Sequence, residues 1–339
     1  MKKITPDNAN KIIELINNAE RICLLSHHNP DGDAIAGCLA VQRVLKNTGK
    51  DSMVIMPSDM PDFLKFLPGS EDIVTHKNNE KDSPAVKHLQ EADLIFCIDF
   101  NDPSRVKALE DTLRKSEAIK ILMDHHPEPE DFAEYGLSKT ESSSASEIVF
   151  EFMEWAGLRQ FFDKETAMIL YTGIMTDTLN FSINTAGKKT FGRVAELLDF
   201  DINKEEIYDA VYNTFSWERM QLMGHLVNNK TKLIEEHQVA YTIFEKSDKE
   251  KFNYKLGDHE GIVNIPLSVQ NVKASVIFME NDNKIKVSLR SKAGFDVNAL
   301  ARKYFNGGGH QQAAGGTLHI KVEEISEFLK NALDNFEKE

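Results

Sequence analysis

The sequence predicts an α/β protein of two domains, with a doubly wound, mostly parallel sheet in the first and a smaller α/β second domain. Three observations support this prediction. Short apolar runs at 22–25, 94–98 and 119–123 alternate with helix-like segments in the first half of the chain. From about Lys232 the pattern changes to strand-type runs that precede a closing amphipathic helix. The length of 339 residues is also sufficient for two hydrophobic cores.

Composition limits the classes of function. Hydrophobic residues make up 41% of the chain and charged residues 28%, as in ordinary soluble proteins. The net charge of −14 argues against a protein that coats long nucleic acid, but it allows a small anionic substrate held by metal ions. No apolar run is long enough to cross a bilayer and no signal-peptide core is visible, so we expect a cytoplasmic protein without a membrane partner. We expect Cys23, Cys38 and Cys97 to be buried free thiols.

The first half of the chain is predicted to alternate strands and helices. Thr5-Pro6-Asp7 predicts a helix start, with threonine as N-cap and proline in the first turn. A strand at 21–26, a polar loop and a helix at 34–47 follow, and Gly49 can end that helix. Further strands are predicted at 52–56, near Ile73, at 94–98 and at 119–123, with a helix that begins near Asp102-Pro103.

Helices are predicted to dominate the middle of the chain, and a second domain follows. A serine-rich loop at 140–146 precedes a helix at 147–155, and the helix at 164–176 ends at Thr176-Asp177-Thr178. Beyond it we predict strands at 239–244, 274–279 and 285–289, a helix at 296–304, a glycine-rich turn at 307–316, a strand at 318–322 and a helix at 323–336. The predicted division is 1–199 for the first domain, 200–229 for a helical connector and 230–339 for the second domain.

Clusters of oxygen and imidazole donors follow the buried strands. His27, Asp31 and Asp33 come after the first of these strands, and Asp124-His125-His126 comes after a later one. In open α/β sheets ligands bind at the carboxyl ends of the strands, so these donors can face one crevice. Taken singly, each has another interpretation: turn chemistry for the first segment, a helix N-cap for Asp99 and core histidines for the pair. Asp177 at a helix C-terminus opposes the helix dipole, which favours a ligand role.

Taken together, the donors favour a metal centre. Aspartates brought to one crevice repel one another and raise each other's pKa unless cations lie among them. Two divalent ions about 3.5 to 4 Å apart are the arrangement used in phosphoester hydrolysis. Mixed carboxylate and imidazole donors favour Mn²⁺, with Mg²⁺ or Co²⁺ as alternatives.

Six segments carry a family resemblance. Four of them resemble the motifs of the DHH phosphoesterase superfamily: His27-x-x-Pro30-Asp31-x-Asp33, Asp99 after its strand, Asp124-His125-His126, and the run from Tyr171 to Thr178. Two others, Ser288-Leu289-Arg290-Ser291 and Gly307-Gly308-Gly309-His310, resemble the DHH-associated C-terminal domain. Along nearly its whole length the chain is similar to the nanoRNase and pAp-phosphatase (NrnA-type) branch.

The resemblance implies a role for each residue of the site. His27 and Asp31 would hold one Mn²⁺, Asp33, His125 and Asp177 would hold the other, and Asp99 would bridge both. It implies that His126 acts beside the metals, touching the scissile phosphate or orienting a ligand, so that His126, Asp99 and Asp33 form the catalytic set. Asp124 would support this site without binding metal directly.

A substrate-binding arm is expected in the second domain. The resemblance implies that Arg290, Ser291, Gly308, Gly309 and His310 contact a terminal phosphate and the adjacent nucleotide, with the active site in the interdomain cleft. Arg105 is a candidate second cation near the metals. The alternatives left open are a flexible β-turn for the glycines, a surface strand residue for Arg290 and an exposed helix residue for Arg105.

The preferred function is a Mn²⁺-dependent phosphodiesterase that trims mononucleotides from short RNA oligonucleotides, with 3′-phosphatase activity on pAp as an addition. Alternatives are a phosphodiesterase of cyclic or linear di-adenylate (c-di-AMP or pApA), a family II type inorganic pyrophosphatase and a non-catalytic nucleotide sensor. The expected partners are short RNA or small nucleotides and no long nucleic acid, and a homodimer is allowed.

Overall fold

The computed structural model describes residues 1–76, 83–183, 186–255 and 257–336. The chain divides into two units, Met1–Thr214 and Phe215–Glu339. Both units are α/β, and the first contains a parallel sheet, so the predicted fold class is confirmed. The unit boundary falls inside the segment at 200–229, for which the sequence predicts a connector.

The first unit is built on a sheet whose seven strands, in the described residues, all run parallel. In spatial order they are β1 (Lys2–Lys3), β7 (Tyr135–Ser138), β6 (Ile119–Asp124), β5 (Leu94–Ile98), β2 (Ile22–Leu25), β3 (Ser52–Met56) and β4 (Val74–Thr75). The chain moves outward from β2 to β4, crosses back, and moves outward again from β5 to β7. The topological switch point therefore lies between β2 and β5, and ligands bind at such points in open α/β sheets.

The register of the central strands brings their carboxyl ends level. Leu25 pairs with Cys97, and Ile98 pairs with Met123. Strands β2 and β5 are buried along their whole length, which explains why they read as continuous apolar runs. Their alternate residues enter two separate core clusters, as expected for a sheet with helices on both faces. The residues that follow β2, β5 and β6 consequently emerge at one edge.

Eight α-helices lie in the described part of the first unit. They are α1 (Ala9–Asn18), α2 (Gly32–Asn47), α3 (Pro84–Glu91), α4 (Glu110–Lys115), α5 (Ala145–Trp155), α6 (Lys164–Asp177), α7 (Lys188–Leu198) and α8 (Lys204–Tyr212). Small residues let α2, α5 and α6 approach closely. A Cβ on Gly32 would collide with the Thr176 hydroxyl, and a Cβ on Gly173 would collide with Ser146 and lie 2.8 Å from the Ala36 Cβ.

The second unit contains a mixed sheet of six strands in its described residues. In spatial order these are β12 (Gly308–His310), β13 (Ala313–Leu318), β11 (Lys284–Ser291), β10 (Ala274–Asn281), β9 (Val239–Phe244) and β8 (Thr231–Ile234). Only the β9 and β10 pair is parallel among these strands. The helices of this unit are α9 (Trp217–His225), α10 (Lys246–Lys251), α11 (Val297–Tyr304) and α12 (Ile325–Phe336).

Two predictions about elements are wrong, and some strands were missed. The first helix begins at Ala9 and not at Thr5-Pro6, because the Asn8 side chain accepts the Thr5 amide hydrogen bond and closes a separate turn. The last strand is Ala313–Leu318 and not 318–322, because the glycine-rich segment pairs with β11 and β12. The edge strand β1 and its neighbour β7 were not predicted, since both are short and Lys2–Lys3 has no apolar pattern.

Two simple predictions concern thiols and membrane spans. The three cysteines are all described residues, and they are buried and free as predicted. In the described residues no helix is both long enough and apolar enough to span a membrane.

Candidate metal centre

Asp31 is both the N-cap of α2 and a candidate metal ligand. Its Oδ1 accepts hydrogen bonds from the amides of Asp33 and Ala34, both at 3.1 Å, and so caps α2. Its Oδ2 lies 4.0 Å from Nε2 of His27. The capping and ligand interpretations of this aspartate are therefore compatible, because each uses a different oxygen.

Asp99 is the central carboxylate of the site. It follows β5 in the left-handed region at φ 64°, a conformation that costs about 1–3 kcal/mol for a residue other than glycine. Its side chain is 3% exposed. Oδ2 lies 3.5 Å from His27 Nε2, and Oδ1 lies 3.4 Å from His125 Nε2. One carboxylate thus presents one oxygen to each of two histidines.

The candidate ligands form two sets. In the first, His27, Asp31 and Asp99 each place one donor atom within 4.8 Å of the others. In the second, Asp33, His125 and Asp177 do the same, and His125 Nε2 lies 3.6 Å from Asp177 Oδ2. The structure therefore brings together all six side chains for which the sequence predicts a metal-binding role.

Asp33 is oriented by the start of α5. Its Oδ2 accepts a hydrogen bond from the Ala145 amide at 2.5 Å, and its Oδ1 accepts one from the Ser146 amide at 2.8 Å. These amides belong to the first turn of α5, where backbone N–H groups have no partner inside the helix. The helix start fixes the direction of this carboxylate.

Asp124 and His126 form a supporting pair. Asp124 is fully buried at the end of β6, and it accepts hydrogen bonds from the His126 amide at 3.0 Å and from His126 Nδ1 at 2.8 Å. His126 Nδ1 also lies 3.7 Å from Asp99 Oδ1. Asp124 thus holds the imidazole of His126 beside the central carboxylate, an arrangement compatible with the supporting role that the family resemblance implies for Asp124.

Burial and mutual charge shift the pKa values of the acids. Burial raises the pKa of Asp33 well above its usual range, and the carboxylates of Asp99 and Asp177 add to the shift. Burial also raises the pKa of Asp177 to about 7, with Asp31 and Asp99 adding to it. At Asp99 burial acts in the same direction, but the imidazoles of His125 and His27 that face its two oxygens hold its pKa well below the usual value.

The pKa values of two histidines are raised, although burial alone would lower them. Burial disfavours the imidazolium of His125, yet Asp99 and then Asp177 raise its pKa well above the usual value. Asp99 and Asp31 likewise raise the pKa of His27. The Arg105 charge opposes that shift, which places this side chain within electrostatic range of His27. The backbone carbonyl of Arg105 also accepts a hydrogen bond from the His28 amide at 2.8 Å.

The donors fit divalent cations. The Asp99 Oδ1 atom is buried, and within the described part of the chain its polar neighbours are the imidazoles of His125 at 3.4 Å and His126 at 3.7 Å, with no well-formed hydrogen bond. A buried carboxylate oxygen so poorly paired is costly unless a cation lies close to it. Carboxylate oxygens mixed with imidazole nitrogens form a donor set suited to Mn²⁺ and related ions.

In the second unit, Arg290 and His310 lie in one row of the sheet. Each is paired with Ala313, Arg290 from β11 and His310 from β12. Directly paired residues project from the same face, so both side chains belong to one face. Along β11 the buried residues Val287 and Leu289 occupy the opposite face. This row leaves two strand spacings, about 10 Å, between the backbones of Arg290 and His310.

The other predicted substrate residues have structural partners. The Ser291 hydroxyl is buried and donates to the Phe295 carbonyl at 2.6 Å. The Gly309 amide donates to Asn298 Oδ1 at 2.9 Å, so it does not point an unused N–H at a ligand. Gly309, at φ 150°, would place a Cβ 2.5 Å from the Ala313 carbonyl. Gly308 and Gly309 therefore serve close strand pairing, and for these two residues the flexible-turn alternative is wrong.

Some residues around the site were missed by sequence reasoning. The amides of Ala145 and Ser146 are backbone groups and leave no side-chain signal. Glu147 was also missed, although Ser144-x-x-Glu147 has the capping-box pattern of a helix start, which could have located this turn.

Two family profiles match the chain. The profile described as the DHH family, N-terminal domain, matches residues 21–174. The profile described as the DHHA1 domain matches residues 236–338. Asp177 lies just beyond the first matched segment, in the last turn of α6.

Three individual proteins show the extent of similarity. The bifunctional oligoribonuclease and PAP phosphatase NrnA of Bacillus subtilis is 26% identical over 310 residues, which cover 91% of this chain and 93% of that protein. The cyclic-di-AMP phosphodiesterase PdeA of Listeria monocytogenes is 25% identical over 96% of this chain, but the match spans 49% of PdeA. A crystal structure of an exopolyphosphatase-related protein from Bacteroides fragilis matches with a TM-score of 0.92 at 39% identity, covering 98% of this chain and 97% of that chain.

Proposed function

Because the chain belongs to the DHH family of metal-dependent phosphoesterases, we propose that it hydrolyses short RNA oligonucleotides to mononucleotides with Mn²⁺ as cofactor. The predicted family resemblance is thereby confirmed. Removal of the 3′-phosphate from pAp is proposed as a second reaction of the same centre. The observation that carries this choice is the similarity to NrnA, which extends over nearly the full length of both proteins.

The proposed ligand assignment follows the two sets. His27 and Asp31 would hold one ion, Asp33, His125 and Asp177 the other, and Asp99 would contribute one oxygen to each. Bound there, divalent cations supply an activated hydroxide and neutralise charge on the phosphoryl group. Two features support the assignment: all six side chains are positioned by strand ends or helix ends, and Asp99 Oδ1 makes no well-formed hydrogen bond in the described chain.

The protein's own groups would orient the reaction. We propose that His126, held by Asp124, contacts the scissile phosphate as a hydrogen-bond donor. Arg105 would add positive charge near His27, where it already opposes protonation of that imidazole. Arg290 and His310, in one row of the second sheet, would bind the remaining phosphate or nucleotide.

A second candidate is hydrolysis of cyclic or linear di-adenylate. The similarity to PdeA covers almost all of this chain and supports it. The match leaves half of PdeA without a counterpart here, whereas NrnA is matched along 93% of its length. We therefore rank the oligoribonuclease function first.

The test is a parallel hydrolysis assay of purified protein with Mn²⁺. Substrates are RNA of two to five nucleotides, a 24-nucleotide RNA, pAp, pApA, c-di-AMP, pyrophosphate and inorganic polyphosphate. We expect the highest kcat/KM with the shortest RNAs. A kcat/KM for c-di-AMP that exceeds that for dinucleotides would replace the first function with the second. Hydrolysis of pyrophosphate or polyphosphate alone would reject both.

The proposed substrate-binding arm is tested separately, through Arg290 and His310. Arg290→Ala and His310→Ala should raise KM for dinucleotides roughly tenfold with little change in kcat, because they remove binding shared by ground state and transition state. Lys284→Ala is the matched control, since Lys284 is an exposed residue of the same strand β11. An unchanged KM in both arm variants would contradict the assignment.

A further inference from the structure

A buried charged network lies beside the first turn of α5, and the proposed reaction does not use it. Its centre is Glu147, which is 2% exposed. Oε2 of Glu147 accepts hydrogen bonds from the Ser143 amide at 2.9 Å, the Ser143 hydroxyl at 2.5 Å and the Thr190 hydroxyl at 3.0 Å. Oε1 accepts one from Arg193 Nη1 at 2.5 Å. A carboxylate this deeply buried is stable only with such complete pairing.

The network ties three segments together. Arg193 also reaches Glu151 on α5, with 3.0 Å between Nη2 and Oε2. Glu151 in turn pairs with Lys139, just after β7, at 2.6 Å. Thr190 and Arg193 belong to α7, so Glu147 connects α5 with α7 and with the segment before α5.

The network continues to a proposed metal ligand through the backbone. The Ser144 hydroxyl caps α5 by accepting the Glu147 amide hydrogen bond at 3.0 Å. In an ordinary capping box the glutamate returns to the amide of the cap residue, but here Glu147 holds the amide of Ser143 instead. The intervening amides, those of Ala145 and Ser146, donate to the carboxylate of Asp33.

We infer that Glu147 is a positioning residue for the metal centre. By fixing Ser143 and the first turn of α5, it fixes the two amides that orient Asp33. If this turn shifts, the Asp33 carboxylate rotates with it, because both of its oxygens are bound there. The inference rests on the proposed role of Asp33 as a metal ligand. Outer partners of this kind set ligand geometry and thereby metal affinity.

The test is Mn²⁺ titration calorimetry of the folded, full-length chain without substrate. Glu147→Gln has the same shape but one oxygen fewer, so it cannot accept from Arg193 and from all three hydroxyl and amide donors. We expect Mn²⁺ affinity to fall about tenfold, the lower end of the effects seen for outer partners of metal ligands. Addition of saturating Mn²⁺ should restore most of kcat, because the reacting groups themselves are intact.

Asp163→Asn is the matched control. Asp163 caps α6 through Thr166, at 2.8 Å, and pairs with Arg43 at 2.7 Å, and none of its hydrogen-bond or ion-pair partners in the described chain is a proposed ligand. Both variants should lose thermal stability, and only Glu147→Gln should lose Mn²⁺ affinity. Equal affinity of Glu147→Gln and wild type would overturn the inference, as would an equal loss in Asp163→Asn.

Three further variants distinguish failure of the inference from failure of its premise. If Glu147→Gln does not fold, Thr190→Val removes one donor with little change of shape, and Thr190→Ser retains the hydroxyl. A weaker Mn²⁺ affinity in the valine variant alone supports the inference, and equal affinities overturn it. Asp33→Asn tests the premise: if it binds Mn²⁺ as wild type does, the ligand assignment fails, whatever Glu147→Gln shows.

Discussion

Asp99 combines strain, burial and a poorly paired oxygen in one residue. A left-handed backbone and a buried carboxylate both reduce stability, and Oδ1 makes no well-formed hydrogen bond within the described residues. Such residues persist where function requires them. The two histidines that face its two oxygens hold its pKa low, so the carboxylate stays charged and ready to bind cations.

Asp99→Asn should reduce Mn²⁺ binding at both sets, because one residue serves both. We expect fewer than two ions per chain to bind in equilibrium dialysis at Mn²⁺ concentrations that saturate the wild type. Asp102→Asn is the control, since Asp102 caps the next turn and pairs with Arg114 outside both ligand sets. Two bound ions in Asp99→Asn would refute the shared role.

At the scale of elements, the spacing between α2 and α6 decides whether Asp33 and Asp177 can share an ion. Asp33 lies at the start of α2 and Asp177 in the last turn of α6. The helices approach closely because Gly32 faces Thr176 and Gly173 faces Ala36. A side chain at either glycine would separate the helices, and with them the two carboxylates.

Gly173→Ala should therefore weaken both folding and metal binding. The added methyl collides with Ser146 and Ala36, and overpacking of this kind costs about 1–3 kcal/mol. Urea denaturation should show that loss, and calorimetry should show weaker Mn²⁺ binding. Gly192→Ala on α7 is the control: a Cβ there meets no neighbour, so we expect a gain of roughly 0.5–1 kcal/mol from helix propensity. Equal stability changes in the two variants would contradict this explanation.

A left-handed turn follows α6 directly. Leu179, Asn180 and Phe181 have φ values of 48°, 55° and 61°. Consecutive left-handed residues are unusual, because each one costs roughly 1–2 kcal/mol unless it is glycine. Backbone hydrogen bonds from Asn180 to Met175 and from Ser182 to Thr178 hold the turn. Its strain is located two to four residues beyond Asp177.

Leu179→Gly should stabilise the protein by up to about 1 kcal/mol, since glycine relieves the strain and the exposed leucine side chain contributes little packing. Phe181→Gly should not stabilise it, because Phe181 packs against Tyr171 and Phe191. The measurement is the urea midpoint at constant slope. A destabilised Leu179→Gly would show that its side chain matters more than its backbone.

At the scale of the whole molecule, the metal centre links stability to pH. Asp33, Asp177, His27 and His125 all have raised pKa values in the folded, metal-free chain. Through these four groups the folded state holds more protons than the unfolded state, so their contribution to stability falls as pH rises from about 4 through about 7. Asp99, with its lowered pKa, contributes stability that is lost only in acid, below this window.

In EDTA, the melting temperature should fall between pH 5.5 and pH 8. With Mn²⁺ the direction should reverse, because metal ligands bind in their deprotonated forms and affinity rises with pH. Differential scanning fluorimetry measures both series. Asp177→Asn should flatten the EDTA series. A melting temperature that rises with pH in EDTA, or one that Mn²⁺ leaves unchanged, would contradict the metal centre.

The sequence by itself determined the parallel sheet and the types of metal donor. Buried strands such as Leu94–Ile98 are continuous apolar runs, and each donor follows a strand or helix end that the local pattern marks. How these donors are arranged in space was decided only by the tertiary structure. The switch point between β2 and β5, the Gly173 contact and the amides that hold Asp33 depend on residues far apart in the chain. Gly308 and Gly309 look flexible locally, yet they pair with Gly315 and Ala314 of β13, and β13 in turn pairs with β11, which lies earlier in the chain. The pairing of β13 with β11 depends on a distant partner, which the glycine run by itself does not reveal.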